Sequence, residues 1–230
     1  MNSEEIERIR SIYEKRLEAE ADSRYAYWRP ANLLLVQRLE WDIAGALAQR
    51  GLLPLTDSRA LDIGCGDGFW LRFLLRLGAF PSNLHGIDLL PDRAEQASLL
   101  SPAMHIINGD ASALPYPDGY FNLVMQFTAF SSILNSSVKQ QVAGEMMRVL
   151  QTDGVILWYD FIFNPANRDT RGIRKRELQS LFPGCSYRFQ RVTLAPPLAR
   201  GLARYSRLGC TLLDAIPFLR THYLATISKK

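Results

Sequence analysis

The sequence predicts an α/β fold, an open and mostly parallel sheet with helices on both faces. Three observations predict it. From residue 60 onward, short apolar runs alternate with amphipathic helical stretches. The first run, Ala60-Leu61-Asp62-Ile63, leads into glycines at 64, 66 and 68, then into a helix pattern carrying Trp70, Leu71, Phe73, Leu74, Leu75 and Leu77. Acids close the next two runs, at Asp88 and just past Asn108 at Asp110. Composition agrees: 47% hydrophobic and 22% charged residues over a chain of 230 supply a full core, and that length accommodates one α/β domain, residues 1–230.

Each element has a local reason. Residues 3–21 read as a charged helix with Ile6, Ile9, Ile12, Tyr13 and Leu17 on one side, followed by an aromatic linker, Asp22 to Pro30, with Tyr25, Tyr27 and Trp28. A second helix, Ala31 to Gln49, ends near Gly51, a residue suited to the C-terminal cap. Both helices precede the first strand, so residues 1–51 are expected to form a helical cap, with the linker closing over a ligand. The second strand spans Asn83 to Leu89, and Pro91 opens a helix through Leu99 or Leu100, where its missing N–H costs nothing. Met104 to Asn108 is the third strand. The turn Leu114-Pro115-Tyr116-Pro117-Asp118-Gly119 leads into a fourth, Phe121 to Phe127.

Ser131 to Leu134 reads as a loop or short helical turn and Val138 to Leu150 as an amphipathic helix. Asp153-Gly154 is a tight turn before the fifth strand, Val155 to Phe161. The remainder, residues 162–230, is expected to supply substrate-side elements: a helix Arg174 to Phe182, a strand Tyr187 to Leu194, one amphipathic helix Leu198 to Ile216 and a last strand Thr221 to Ser228.

The glycine spacing selects the ligand. A dinucleotide fingerprint needs a small residue at position 69, where this chain has Phe69. Gly64-x-Gly66-x-Gly68 resembles instead motif I of the class I S-adenosylmethionine-dependent methyltransferases, in which an acid precedes the turn. The Pro117-Asp118 turn before an apolar strand resembles the same family, as does Glu145-Met146-Met147-Arg148-Val149-Leu150 followed by Asp153-Gly154-Val155. The resemblance covers about residues 58–161, the cofactor-binding core. It implies a Rossmann-like, seven-stranded sheet in the order 3-2-1-4-5-7-6 with the last strand antiparallel, and S-adenosyl-L-methionine as cofactor. The turn residues Asp62, Gly64, Cys65, Gly66 and Gly68 are then expected around its amino-acid end. Asp88 faces the ribose and Leu89 a purine face, Asp110 and Ala111 meet the adenine edge, and Gln126, Phe127 and Tyr25 complete the site.

The expected activity is methyl transfer to an oxygen or nitrogen of a small polar metabolite, a sugar or glycan being one such acceptor. Ligands of open α/β sheets bind beyond the carboxyl ends of the strands. His222, Asp160 and Tyr159 fall there as candidate catalytic residues, His222 first because imidazole titrates near neutrality. Ser131, Asn164, Arg168, Arg171 and Arg220 are the candidate substrate contacts. His85 and His105 sit at strand beginnings on the far edge, and no metal site is expected.

Charge is uneven. From Arg168 onward there are 13 Lys/Arg against 3 Asp/Glu, a net of +10, whereas residues 1–167 carry 14 against 20, a net of −6. A basic C-terminal quarter suits an anionic substrate, an acidic membrane surface or nucleic acid. Nucleic acid is set aside, because base-methylating members carry Asp/Asn-Pro-Pro-aromatic after the fourth strand and this chain has Gln126-Phe127-Thr128-Ala129. A metal-dependent catechol-type enzyme would need a carboxylate cluster that is missing. Arg200, Arg204 and Arg207 form a stripe on the helix predicted over 198–216, which suits a lipid-linked or membrane-surface acceptor as the alternative. A non-catalytic S-adenosylmethionine-binding protein is the alternative of another class. The acidic N-terminus is wrong for a secretory signal, no run reaches membrane-span length, and Cys65, Cys185 and Cys210 have no pairing or metal spacing. A cytoplasmic protein is therefore expected. The sequence fixes no oligomeric state.

Overall fold

The computed structural model describes residues 3–19, 26–163 and 169–230. Seven strands form one sheet in the order β3-β2-β1-β4-β5-β7-β6. They are β1 (Ala60–Ile63), β2 (Leu84–Asp88), β3 (His105–Asn108), β4 (Phe121–Phe127), β5 (Leu150–Phe161), β6 (Ser186–Leu194) and β7 (Arg220–Ser228). The first five run parallel, and β7 lies antiparallel between β5 and β6. Order and polarity match the expectation from the sequence.

The sheet is covered on both faces, and side-chain alternation assigns the layers. Leu61, Ile63, Val124, Ile156 and Trp158 meet α5 (Ser136–Val149) and α6 (Lys175–Leu181). Ala60, Leu123, Met125, Leu157 and Tyr159 meet α2 (Pro30–Ala48) and α3 (Phe69–Arg76) on the other side. Every residue of β1 and β2 is buried, Asp62, His85 and Asp88 included, and the rest of both strands is apolar or glycine. Pro30, Pro91 and Pro196 open α2, α4 (Pro91–Leu100) and α7 (Pro196–Leu202), and the Asn135 side chain caps α5 by accepting from Ser137 N and Val138 N.

Three local expectations change. The two N-terminal helices do not cap the fold together. α1 (Ser3–Ala19) lies at the ligand edge, with Ile9 and Tyr13 on the cluster that contains α5, whereas α2 packs Leu39, Ile43 and Leu47 on the opposite face. The helix predicted over 198–216 is two helices, α7 and α8 (Arg207–Asp214). Leu202 O accepts both Tyr205 N and Ser206 N, and Ser206 Oγ then caps α8 by accepting Gly209 N at 2.9 Å. A serine that competes for backbone N–H groups is the physical cause of the break. The turn predicted at Asp153-Gly154 is instead a bulge inside β5, where the register steps from Phe121↔Leu150 to Leu123↔Val155. Gly154 is needed there, since a Cβ would stand 2.8 Å from Leu150 Cδ1 and 3.1 Å from Asn122 O.

Candidate active site

The glycine bend after β1 forms one wall of a cleft at the carboxyl edge. Gly64, Gly66 and Gly68 have φ of +70°, +56° and +80°, the left-handed region that side chains disfavour. At Gly64 the requirement is also steric. A Cβ would lie 2.8 Å from Ala129 Cβ, so the bend and the loop after β4 touch. The bend is held from β2: Ile87 O accepts Gly64 N and Cys65 N, while Asp88 Oδ2 accepts Gly66 N at 2.8 Å. Asp88 Oδ1 accepts Leu90 N at 2.9 Å, so this carboxylate organises the starts of two connections. Burial raises its pKa, against the pull of those N–H groups and of Arg93.

The loop after β4 forms the opposite wall, and buried polar groups hold it. Gln126 Oε1 accepts Ala129 N at 3.1 Å and its Nε2 donates to Tyr159 O. Asp160 Oδ2 accepts Ser131 N at 3.0 Å and Oδ1 accepts Phe161 N at 2.8 Å. Complete burial pushes Asp160 up to about 6 despite those bonds. Thr128, with φ of +61°, donates its N–H to Tyr159 O at 2.8 Å. A β-branched residue in this conformation is strained, and such strain collects at functional loops.

α1 crosses this edge and is tied to the same loop. Glu5 Oε1 accepts Leu134 N at 2.7 Å, and Arg8 binds Glu5 and donates to Ser132 O. Burial pulls Glu5 up, but the Arg8 guanidinium and the Leu134 and Asn135 N–H groups outweigh it and leave the carboxyl below its ordinary value. Tyr13 Oη bonds Ser132 Oγ at 3.1 Å, and Arg93 stands 4.8 Å over the Tyr13 ring. One tyrosine therefore links α4 to the loop after β4 across the cleft mouth.

Together with its open mouth, the cleft spans about 750 Å3. It draws Gly64 from the bend, Asp88, Leu89 and Arg93 from the β2–α4 connection, and Gly109 and Ala111 from beyond β3. Phe127 ends β4 in its wall, Thr128, Ser132 and Ile133 follow from the next loop, and Ile9 and Tyr13 come from α1. Beneath the bend, Asp62 is fully buried, and its Oδ1 has no hydrogen-bond partner within the protein. Burial, then the nearby Asp88, push the Asp62 carboxyl up. An orphaned acceptor under a glycine bend, with a carboxylate beside it, suits a ligand that carries an ammonium and hydroxyl groups.

Residues 60–154 match the family model of a methyltransferase domain. The chain has the fold of the class I S-adenosylmethionine-dependent methyltransferases. A methyltransferase of Synechocystis is 27% identical over 149 residues, 62% of this chain and 68% of that one. The phthiotriol/phenolphthiotriol dimycocerosates methyltransferase 1 of Mycobacterium ulcerans is 30% identical over 119 residues, half of this chain and 41% of its own length. The crystal structure of a SAM-dependent methyltransferase from Archaeoglobus fulgidus shares the fold, with a TM-score of 0.59 at 17% identity, over 83% of this chain and 94% of that one. The cofactor of the family is S-adenosylmethionine.

Within this methyltransferase fold, the expected site residues divide. Gly64, Asp88, Leu89, Ala111 and Phe127 line the cleft. Gly66, Gly68 and Asp62 shape the bend from behind. Cys65 is buried with its thiol toward Gly66 O, and Asp110 accepts Ser112 N between two lining residues. Gln126 is fully buried in service of the loop. Tyr25, Asn164 and Arg168 lie outside the described residues.

The three catalytic candidates are not brought to the cleft. His222 is buried with its ring stacked on Tyr159 at 4.7 Å and against Phe161 at 4.1 Å, and its Nδ1 is 3.0 Å from Thr221 Oγ1. Burial lowers its pKa to about 3. Tyr159 points into the α2 layer, bonds Thr193 Oγ1 at 2.9 Å, and has its phenol pushed up by burial. Asp160 holds Ser131 N. The strand pleat explains the outcome: placing a residue at the right strand end does not say which face its side chain takes. Among the substrate candidates, Ser131 is buried and bonds Thr128 O, and Arg220 donates to Asp214 and to Arg191 O. Arg171 donates its backbone N–H to Ser131 O. Ile9, Tyr13 and Arg93 line the cleft without having been expected there; the apolar stripe of the first helix was the one signal for two of them.

Among the described residues no group of three or more His, Cys, Asp or Glu side chains gathers to hold a metal ion, and no helix is long and apolar enough to cross a membrane.

Proposed function

We propose that the protein transfers a methyl group from S-adenosylmethionine to an oxygen or nitrogen of a small acceptor that enters past Phe127 and Thr128. One observation carries the reading. The cleft unites the Gly64 bend, the β2 acid Asp88 and the Ala111 loop on one edge of the sheet.

When bound, the cofactor supplies a methyl group already activated on a positively charged sulfur. The chain's own groups position it. Backbone around Gly64 and Gly66 cradles the amino-acid end, above the unpartnered Asp62 Oδ1. Asp88 has lone pairs left after accepting two N–H groups, enough for ribose hydroxyls. Leu89, Ala111 and Ile133 offer apolar walls to the purine. α1 limits water at the mouth. Such positioning is worth up to about 7–11 kcal/mol of a displacement barrier.

The acceptor side is aromatic. Phe127 stacks on Trp70 at 4.8 Å, Trp70 contacts Phe69 at 5.0 Å, and Phe69 meets the exposed Tyr27 at 5.8 Å. This band favours an acceptor with a flat or apolar face, an aromatic ring or the C–H face of a sugar. A strongly polar metabolite is less suited, because Ser131 and Arg220 are engaged with protein partners. The chain spans less than half of the Mycobacterium ulcerans relative, so the acceptor is argued from this cleft alone.

The test is incubation of the full chain with methyl-labelled S-adenosylmethionine and panels of phenols, amines and sugars. Label in a ring-bearing or sugar acceptor, with release of demethylated cofactor, is the expected result. Tight cofactor binding without transfer to any panel would favour a non-catalytic binding protein.

A further inference from the structure

The connection between β6 and β7 carries large apolar side chains on its outside. In and around α7, α8 and the short helix Pro217–Leu219, Tyr205, Leu208, Leu212 and Phe218 are exposed by 72, 70, 63 and 76%. Leu208 and Leu212 share one face of α8, while Cys210 and Asp214 face inward. The inner side is satisfied, since Ala199, Ala203 and Cys210 pack on Leu194 and on Ala31 of α2. The outer face is therefore not a core waiting for a missing strand.

Its charge is one-signed. Arg204 and Arg207 are exposed, and no carboxylate among the described residues pairs with either; Arg204 lies 4.4 Å over the Tyr205 ring. The only acid between Pro196 and Leu219 is Asp214, which is buried and bound to Arg220. Exposed leucines and aromatics interleaved with unneutralised arginines match the interface of an anionic bilayer, where apolar side chains enter the acyl boundary and guanidinium groups meet phosphates. A second copy of the chain is a poorer occupant. Two such faces related by a two-fold axis would set the unneutralised Arg204 and Arg207 against a surface of the same sign.

Topology places this face on the same carboxyl edge of the sheet as the cleft, toward the β6 end. β6 runs parallel to β5, so Leu194 ends at the carboxyl edge, and antiparallel β7 begins at that same edge with Arg220. Trp28, just before α2 and 69% exposed, belongs to the same rim, because α2 begins against α7 through Ala31.

We propose that α7, α8 and residues 217–219 dock the protein on the surface of an anionic phospholipid bilayer, with the cleft opening near that surface. This goes beyond the methyl-transfer reading and does not depend on it, since docking is measured without turnover.

The experiment is co-sedimentation of the full chain with vesicles of phosphatidylcholine, or of equal parts phosphatidylcholine and phosphatidylglycerol, at low and high salt. Binding to the mixed vesicles, weakened by salt, is expected. Arg204→Ala with Arg207→Ala should weaken it about 30-fold, from roughly 1 kcal/mol per cation. Leu208→Ser with Leu212→Ser should weaken it at least about tenfold. Circular dichroism and the affinity for S-adenosylmethionine confirm that the variants are folded. The proposal is overturned by no binding to either vesicle, by equal binding to both, or by a wild-type dimer in light scattering that the leucine variants dissociate while lipid binding is absent.

Discussion

The carboxylate of Asp88, at the end of β2, accepts the N–H of Gly66, inside the bend after β1, at 2.8 Å. The acid expected to meet the ribose is thus also the clasp that shapes the bend proposed to hold the rest of the cofactor. Asp88→Asn keeps the size and one carbonyl oxygen. It should weaken S-adenosylmethionine binding by at least about tenfold, as charge-assisted hydrogen bonds are worth about 1.5–3 kcal/mol. Calorimetry reads this directly, and an unchanged dissociation constant would remove Asp88 from the site. Asp88→Ala should in addition lower the urea midpoint, because Gly66 N and Leu90 N lose their acceptor.

Glu5 governs α1. Glu5→Gln should cost about 1–3 kcal/mol of stability near neutral pH, since Arg8 and two loop N–H groups lose a charged partner. The folded carboxyl sits below its ordinary value of 4.5. Its contribution is therefore complete above that value and is lost as pH falls through the depressed one. Urea titrations should show the wild-type advantage over Glu5→Gln narrowing as pH falls below 4.5. Cofactor affinity should fall as well, through Ile9 and Tyr13.

Asp160 has the opposite sign. Its folded value of about 6 lies above the ordinary 3.8. It favours the folded state fully below 3.8, and that contribution disappears as pH rises through about 6. The span corresponds to something on the order of 3 kcal/mol. The stability of wild type minus that of Asp160→Asn should decline between pH 4 and pH 6.5 and be flat above; a difference flat throughout would contradict the shift.

His222→Phe preserves the stack on Tyr159 and removes the imidazole. Turnover should stay within about threefold of wild type, and the rate–pH profile should keep its shape, whereas a general base contributes about 10²–10⁴-fold. A hundredfold loss in folded protein would restore His222 as the base.

Thr128→Gly should relieve the left-handed strain and raise the urea midpoint by the equivalent of about 1 kcal/mol, the cost of a side chain in that region less the entropy of glycine. A lowered midpoint would mean that the bond from Thr128 Oγ1 to Phe127 O outweighs the strain.

The central strands were legible because β1, β2, β4 and most of β5 are buried and read as largely apolar runs set off by glycines, prolines and acids. The glycine wall of the cleft was legible for a related reason, since a bend that needs positive φ leaves its mark in the residue types themselves. Side-chain direction at strand ends was not. Whether Tyr159, Asp160 and His222 face the cleft, the loop or the helix layer depends on pleat and register, and all three residue types are compatible with each. The break at Ala203–Ser206 was hidden because the apolar spacing continues across it, while the deciding contact is one serine oxygen on one backbone N–H. Tyr13 was hidden by distance: it meets Ser132 across 119 residues of chain.

The antiparallel seventh strand has a practical consequence. Since β6 arrives at the rim from which β7 departs, residues 195–219 are an excursion that leaves and rejoins the scaffold at neighbouring points. Replacing its outward side chains, with Ala199, Ala203 and Cys210 kept on Leu194, would change the surface this rim presents and leave the strand pairing intact.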